Sequence, residues 1–250
     1  MMNCKNIRSK FNRTLVIMFV LCFLIYTTPS YAAELDDSAD NENLVSICDF
    51  CAGGDRLSNG WYWEHNTLKV YFQNYTNDEK SAVLDALTLW SYVTYPDNFY
   101  LVQFIFDCSS SNTIYDADLI FEWEYYITDI AGHTVMYDIY GTSSDEPGYV
   151  VGPISQVRIK MNLNKTFSYG TTAETGKFDF RSAVAHELGH GLGVAHCHER
   201  DGHPDDYACS TNCPNNVMTP VLPANKIRMI LQPYDRASLV NTYVFQHPFY

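Results

Sequence analysis

The sequence predicts an α+β domain with a twisted mixed sheet, because two kinds of hydrophobic period alternate along the chain. Residues 68–72 alternate apolar and polar side chains, as a half-buried strand does. Thr76 and Glu79 then have the spacing of a capping box. Three apolar residues share one face of the helix that follows: Val83, Leu87 and Trp90.

Further strands and two more helices follow in the same way. Four segments have strand-like composition, at residues 101–106, 118–123, 133–137 and 156–161. A second helix is predicted over residues 180–192. Pro233 and Asp235 open a last helix, which carries Leu239, Val240 and Tyr243. The order of strand, helix, several strands and helix is typical of an α+β domain that begins near Trp61.

The segment HELGHGLGVAH, residues 186–196, places three histidines and a glutamate within eleven positions. Residues four apart in a helix lie about 40° apart around its axis, so His186 and His190 share a face. In a continued helix His196 would lie roughly 240° from His190 and could not reach the same ion. The spacing therefore predicts that the helix ends at Gly193 and that the chain returns to bring His196 alongside.

Three neutral imidazoles without a fourth protein ligand are typical of a catalytic zinc site, which keeps one position open. Glu187 cannot point where His186 points, and it is placed to act as general base toward water at that position. The alternative is a core helix with incidental histidines. It is disfavoured because histidine and glutamate are rarely buried without partners.

These residues resemble the signature H-E-x-x-H-x-x-G-x-x-H of the metzincin zinc proteases. The match consists of His186, Glu187, His190, Gly193 and His196. Met218, in the segment NNVMTP, resembles the methionine of the metzincin methionine turn. Pro220 is closer to the matrixin pattern than to that of astacins or serralysins. Residues 117–121 and 131–136 also resemble matrixin strands.

The resemblance implies a zinc protease domain with an active-site helix and a small C-terminal subdomain that contains the methionine turn. It places Met218 as a hydrophobic floor beneath the zinc, with ordinary core packing as the alternative. Substrate would pair as an added strand near residues 132–136, and residues 221–223 would form the S1′ wall. His133 is either another ligand or an ordinary core or surface histidine.

The chain departs from matrixins in one place. In matrixins the third histidine and the methionine are close together, whereas here 21 residues separate His196 from Met218. We also find no counterpart of the additional structural-zinc histidines, so a single zinc is expected. Calcium is a second candidate cation.

The predicted activity is endopeptidase hydrolysis of a protein or peptide by zinc-activated water, with Glu187 as the base. Two alternatives are a non-proteolytic secreted binding or toxin module and a zinc hydrolase of another amide or ester. The intact glutamate argues against the module, because a structural zinc site needs no base.

The N-terminus reads as a secretory signal peptide, residues 1–32, followed by a leader or short propeptide, residues 33–60. The catalytic domain would then be residues 61–250. Four basic residues precede an apolar run that is shorter than the roughly 20 residues of a membrane span. An uncleaved anchor is the alternative. We expect a secreted, monomeric mature protein without a membrane segment.

The surface is acidic. Removal of the first 32 residues takes four of the 16 basic residues and none of the 29 acidic ones, so the formal charge moves from -13 to -17. Such a charge disfavours nucleic-acid and anionic-membrane partners. It favours cationic substrates or calcium, although a merely solvated surface is the simpler explanation.

Six of the eight cysteines follow the signal region: Cys48, Cys51, Cys108, Cys197, Cys209 and Cys213. An even number in an exported chain predicts three disulfides, with 15 possible pairings. The last three cysteines could instead form a second metal site with His198 and His203. Residues 50–55 loosely resemble a cysteine switch in which Cys51 would block the zinc, but a disulfide is the simpler use of Cys51.

Overall fold

The computed structural model describes residues 60–95, 99–127, 130–138, 143–144, 152–196, 215–219, 222–246 and 248. All of them belong to the unit Ile47–Tyr250. The predicted signal peptide lies outside the described residues, as does the leader up to residue 59. Five of the six cysteines after the signal region also lie outside, so the disulfides stay a prediction.

The first half of the described chain contains six strands and one helix. They are β1 (Trp61–Tyr62), β2 (Thr67–Phe72), α1 (Asn77–Trp90), β3 (Tyr92–Tyr95), β4 (Tyr100–Gln103), β5 (Ile105–Asp107) and β6 (Leu119–Glu124). The predicted capping box at the start of α1 is confirmed: Thr76 accepts from the amide of Glu79, and the Glu79 carboxylate accepts from the amide of Thr76. The predicted apolar face of α1 is buried.

The second half contains the remaining strands and the later helices. They are β7 (Gly132–Asp138), β8 (Ser143–Ser144), β9 (Gly152–Asn162), β10 (Phe167–Ser168), β11 (Phe178–Asp179), α2 (Phe180–Gly191) and α3 (Pro233–Val240). A π-helical segment, Asn241–Gln246, continues α3. Helix α2 is the predicted motif helix. Within the described residues, no helix is long and apolar enough to cross a membrane.

The predicted mixed sheet is confirmed. Its strands lie in the order β5, β2, β6, β9, β7, β8, and the first four run parallel to one another. Strand β7 runs antiparallel to β9, with Thr134 opposite Ile159 and Gly132 opposite Met161. Strand β1 adds to β9 in parallel at Gly152 and Pro153.

The predicted strand at residues 101–106 is divided between two sheets. Strand β4 pairs antiparallel with β3, whereas β5 pairs parallel with β2 in the main sheet. Phe104 lies between them, with its ring buried and its amide donating to the Ser91 carbonyl at 3.0 Å. This bond is in the register of the β3–β4 pair, one residue beyond Tyr92 and Gln103. The next amide, that of Ile105, already donates to the Asn66 carbonyl beside β2, so the change of sheet falls between Phe104 and Ile105. An apolar run does not reveal such a change of partner.

Helix α2 lies between α1 and the antiparallel edge of the main sheet, where it packs against β7 and β9. The indole Nε1 of Trp90, at the end of α1, donates to the Ala185 carbonyl at 2.9 Å. At the other end of α2, the indole Nε1 of Trp63 donates to the Gly191 carbonyl at 2.9 Å. Both indoles are fully buried, so their hydrogen bonds fix α2 in the core without unsatisfied donors.

Candidate metal and catalytic site

Helix α2 begins at a buried aspartate. The carboxylate of Asp179 accepts hydrogen bonds from the Ser182 amide at 2.9 Å and the Ser182 hydroxyl at 2.6 Å. This is an N-cap, which satisfies donors at the start of the helix that have no partner within it. The helix then presents His186, Glu187 and His190 in its last two turns.

The helix ends where the spacing of the motif requires it to end. The Gly193 amide donates to the His190 carbonyl at 2.9 Å, and Gly193 has a φ of +86°. Other residue types rarely adopt this conformation. A Cβ at Gly193 would also collide with the carbonyl oxygen of Trp61. The chain therefore turns at a position that only glycine can occupy, and His196 comes back beside the helix.

The three histidines converge through one ring nitrogen each. The Nε2 atom of His196 lies 3.2 Å from Nε2 of His186 and 3.0 Å from Nε2 of His190. Within the described residues, this trio is the one group of histidine, cysteine or acidic side chains that could hold a metal ion. His133 is not part of it, and its Nδ1 lies 3.5 Å from the Tyr126 hydroxyl.

Main-chain carbonyls set the tautomers of two of the rings. Nδ1 of His186 lies 2.8 Å from the Val217 carbonyl oxygen, and Nδ1 of His190 lies 3.0 Å from the Val194 carbonyl oxygen. Since a carbonyl can only accept, both Nδ1 atoms carry the proton. In the neutral rings the lone pairs of Nε2 then face the centre of the trio.

This donor set fits zinc. Tetrahedral zinc with bonds of 2.0–2.1 Å requires neighbouring nitrogens to lie about 3.3 Å apart, close to the observed separations. Burial and the nearby His196 lower the pKa of His186 to about 3 and that of His190 well below its usual value. Both rings are therefore neutral near neutral pH, which is the state that binds a metal.

Glu187 points toward the sheet. It is 8% exposed, and its Oε2 lies 2.8 Å from the hydroxyl oxygen of Thr134 on β7. Burial raises the pKa of Glu187 to about 7, against the lowering effect of the Thr134 hydrogen bond. A cation held by the histidines would lower this pKa again. A carboxyl group in this range can both take and release a proton near neutral pH.

Met218 packs beneath the histidine helix and is fully buried. A Cβ added at Gly189 would collide with the Met218 sulfur and would lie 3.0 Å from Cζ2 of Trp90. Gly189 thus allows the thioether to approach the backbone of α2, one residue before His190. Pro220 and Val221, which follow in the sequence, lie outside the described residues.

The first turn of α3 holds the backbone around two of the histidines. The fully buried Asp235 accepts from the amides of Val217 and Met218, both at 3.1 Å. Val217 in turn provides the carbonyl that orients His186. The hydroxyl of Tyr234 donates to the His196 carbonyl at 2.7 Å. The sequence pattern marks Asp235 only as a helix opener and gives no signal for Tyr234 or Thr134, because these contacts join distant parts of the chain.

His198, His203 and Cys51, the residues of the alternative metal site and of the cysteine switch, lie outside the described residues. Leu222 and Pro223 of the predicted S1′ wall are described, and Leu222 packs against the core.

Comparison with known proteins gives one family. The model of the family described as metallo-peptidase family M12B, reprolysin-like, matches residues 104–233, just over half of the chain. This match supports the metzincin clan but not the narrower matrixin placement. No curated protein matches the chain. A solved structure described as "Structure of myroilysin" is similar at 12% identity and a TM-score of 0.35, over 76% of this chain and 96% of that chain.

Proposed function

Because the chain belongs to the reprolysin-like M12B family of metallopeptidases, we propose that it is a secreted zinc endopeptidase that uses Glu187 as its general base. Metallopeptidases of this family are zinc-dependent and act on peptides or proteins. The observation that carries the proposal is the arrangement of three Nε2 atoms, 3.0 and 3.2 Å apart, beside a buried carboxylate.

The metal would be held by His186, His190 and His196. When bound, zinc supplies Lewis acidity, which polarises the scissile carbonyl and makes water a better nucleophile at neutral pH. The protein's part is to keep the three rings neutral and aimed at one point. Carbonyl acceptors at two Nδ1 atoms do this, because they fix both the tautomer and the ring orientation.

Glu187 handles the proton. Its carboxylate takes a proton from the attacking water and passes it to the nitrogen of the leaving amine, so no covalent bond forms between enzyme and substrate. Burial on α2 excludes solvent from the carboxyl group, and this desolvation keeps its proton affinity higher than that of an exposed glutamate. The base is therefore suited to both transfers.

Substrate would bind along the outer edge of β7. In the part of the chain that the structure describes, strand β8 pairs with β7 at Met136 and Tyr137, and Gly132–Val135 is the part of β7 nearest to Glu187. An extended peptide added there would present its main chain to the site through hydrogen bonds that tolerate many side chains. We place the S1′ wall at residues 221–223, and Met218 as the apolar floor of the metal site.

The experiment uses purified protein with casein or gelatin as substrate, with and without a metal chelator. Replacement Glu187→Gln keeps the size of the side chain and removes the base, so cleavage should fall at least about a hundredfold while zinc remains bound. The control Glu64→Gln changes an exposed glutamate and should leave cleavage unchanged.

Two results would contradict the proposal: cleavage that persists in the chelator, or a Glu187→Gln variant as active as the unaltered protein. Hydrolysis of small amides or esters without any cleavage of proteins would instead indicate another zinc hydrolase. Secretion is checked by mass spectrometry of the N-terminus of exported protein, which should begin near residue 33.

A further inference from the structure

We propose that strand β7 positions the general base: Thr134 holds the Glu187 carboxylate by a hydrogen bond, and Gly132 leaves the space that this carboxylate occupies. The inference rests on the proposed function and assigns roles to two residues outside the metal-binding motif. Thr134 is a positioning residue, because it acts through Glu187.

The Thr134 hydroxyl contacts Glu187 at two points. Its oxygen lies 2.8 Å from the Glu187 Oε2 atom and 2.8 Å from the Glu187 main-chain oxygen. Thr134 is 5% exposed, so water does not readily replace either contact. The hydrogen bond to Oε2 restricts the Glu187 rotamer, because the carboxylate cannot rotate away without breaking it.

The contact also distinguishes the two carboxylate oxygens. A hydroxyl has a single proton, and a charged acceptor binds it more strongly than a neutral carbonyl does. Thr134 therefore donates to Oε2 when Glu187 is ionised. This leaves Oε1 as the oxygen that takes up the proton from the attacking water.

Gly132 lies two residues before Thr134, on the same face of β7. A Cβ at this position would lie 2.9 Å from Cγ and 3.3 Å from Oε1 of Glu187, and 3.1 Å from the sulfur of Met161. The first distance is shorter than nonbonded carbon contacts allow. An alanine would therefore push against Glu187 on one side and Met161 on the other, and the buried Met161 leaves it little room.

The strand that holds the base is itself fixed by the sheet. Gly132 pairs with Met161 and Thr134 with Ile159 of β9, whose other edge pairs with β6. A substrate strand added to β7 would be aligned on the residues that hold the base. The position of Glu187 relative to the scissile bond is then set by one strand. Loss of the Thr134 hydrogen bond should therefore lower kcat rather than raise KM.

The main test replaces Thr134 in the full chain by Val, which keeps the branched shape and removes the hydroxyl, and by Ser, which keeps the hydroxyl. We expect Thr134→Val to lower kcat about ten- to a hundredfold, the range seen for residues that orient a reacting group. KM and the zinc Kd, measured by competition with a chromogenic chelator, should change less than about twofold, since the hydroxyl that Val removes lies against Glu187. Thr134→Ser should recover most of kcat.

A second test introduces the missing Cβ. Gly132→Ala should lower kcat at least about tenfold, because the new methyl group displaces the Glu187 side chain. Gly152→Ala is the matched control: it is also a glycine on the main sheet, and a Cβ there meets nothing within 4 Å. Its kcat and melting temperature should be unchanged.

The inference is overturned if Thr134→Val keeps its kcat. It is also overturned if Thr134→Ser loses as much kcat and zinc affinity as Thr134→Val, which is the result of a purely structural role. A full loss of activity in Glu187→Gln together with full activity in Thr134→Val would reject this inference alone. An active Glu187→Gln would reject the proposed function itself.

Discussion

Two sides of the site hold adjacent residues by different means. On the sheet side, Glu187 is held by the Thr134 hydroxyl of β7. On the C-terminal side, the His186 ring is held by the carbonyl of Val217, and the amide of Val217 donates to the Asp235 carboxylate. Successive residues on a helix point about 100° apart, so the two neighbours on α2 face different parts of the molecule.

The residue that we propose as the base and the residue that we propose as a metal ligand are therefore held by different elements of the fold. Strand β7 holds the carboxylate through the hydroxyl of Thr134, which lies against Glu187. The first turn of α3 binds the backbone of Val217, whose carbonyl meets the His186 ring, and the backbone of His196. Changes on the sheet side should therefore alter kcat at constant zinc affinity, whereas changes on the C-terminal side should alter zinc affinity first.

The largest effect is expected from loss of a ligand on the C-terminal side. His196→Ala removes one of the three nitrogens. If each ligand contributes roughly 3 kcal/mol to the free energy of zinc binding, its loss weakens zinc affinity on the order of a hundredfold or more. Zinc affinity is measured by chelator competition. His65→Ala, which changes an exposed histidine, is the control. Equal zinc affinity in the two variants would remove His196 from the site.

A smaller effect is expected from the carboxylate that holds the Val217 segment. Asp235→Asn places an amide NH₂ or a weaker neutral acceptor opposite the amides of Val217 and Met218. We expect zinc affinity to fall about ten- to a hundredfold and stability to fall by about 1–3 kcal/mol. Chelator competition and urea unfolding measure the two changes.

The control for this variant is Asp78→Asn, at an exposed position on α1. Once saturated with zinc, the Asp235→Asn protein should regain most of its kcat, unlike Thr134→Val. If kcat stays low at saturating zinc, the two sides of the site are coupled. The supports of Glu187 and His186 are then not independent.

The smallest effect is expected from a single hydroxyl. Tyr234→Phe removes the hydrogen bond to the His196 carbonyl and keeps the ring, so zinc affinity should fall about two- to tenfold. Tyr75→Phe is the matched control, because the Tyr75 hydroxyl also donates from a buried ring to a main-chain carbonyl, that of Glu122. The Tyr75 bond is longer, 3.4 Å against 2.7 Å, so Tyr75→Phe should lose less stability than Tyr234→Phe. A zinc affinity that falls equally in both would show that Tyr234 has no specific role.

The features that could be predicted from the sequence are those whose residues lie close together along the chain. The helical period places His186 and His190 on one face, and the six-residue step to His196 requires a turn at Gly193. The capping box of α1 and the alternating strands are equally local, since their partners lie within a few residues. The narrower matrixin placement is not supported by the family match. The zinc-binding motif is shared by the whole metzincin clan, and only a few flanking residues such as Pro220 point to the matrixins.

The sequence by itself determined which three imidazoles meet, because side chains within eleven positions need only one helix and one turn to come together. The tertiary structure decided what holds those side chains in place. Thr134 is 53 residues from Glu187, Val217 is 31 from His186, and Tyr234 is 38 from His196. Such contacts depend on how β7 and α3 pack against α2, and packing between distant segments leaves no period in the sequence.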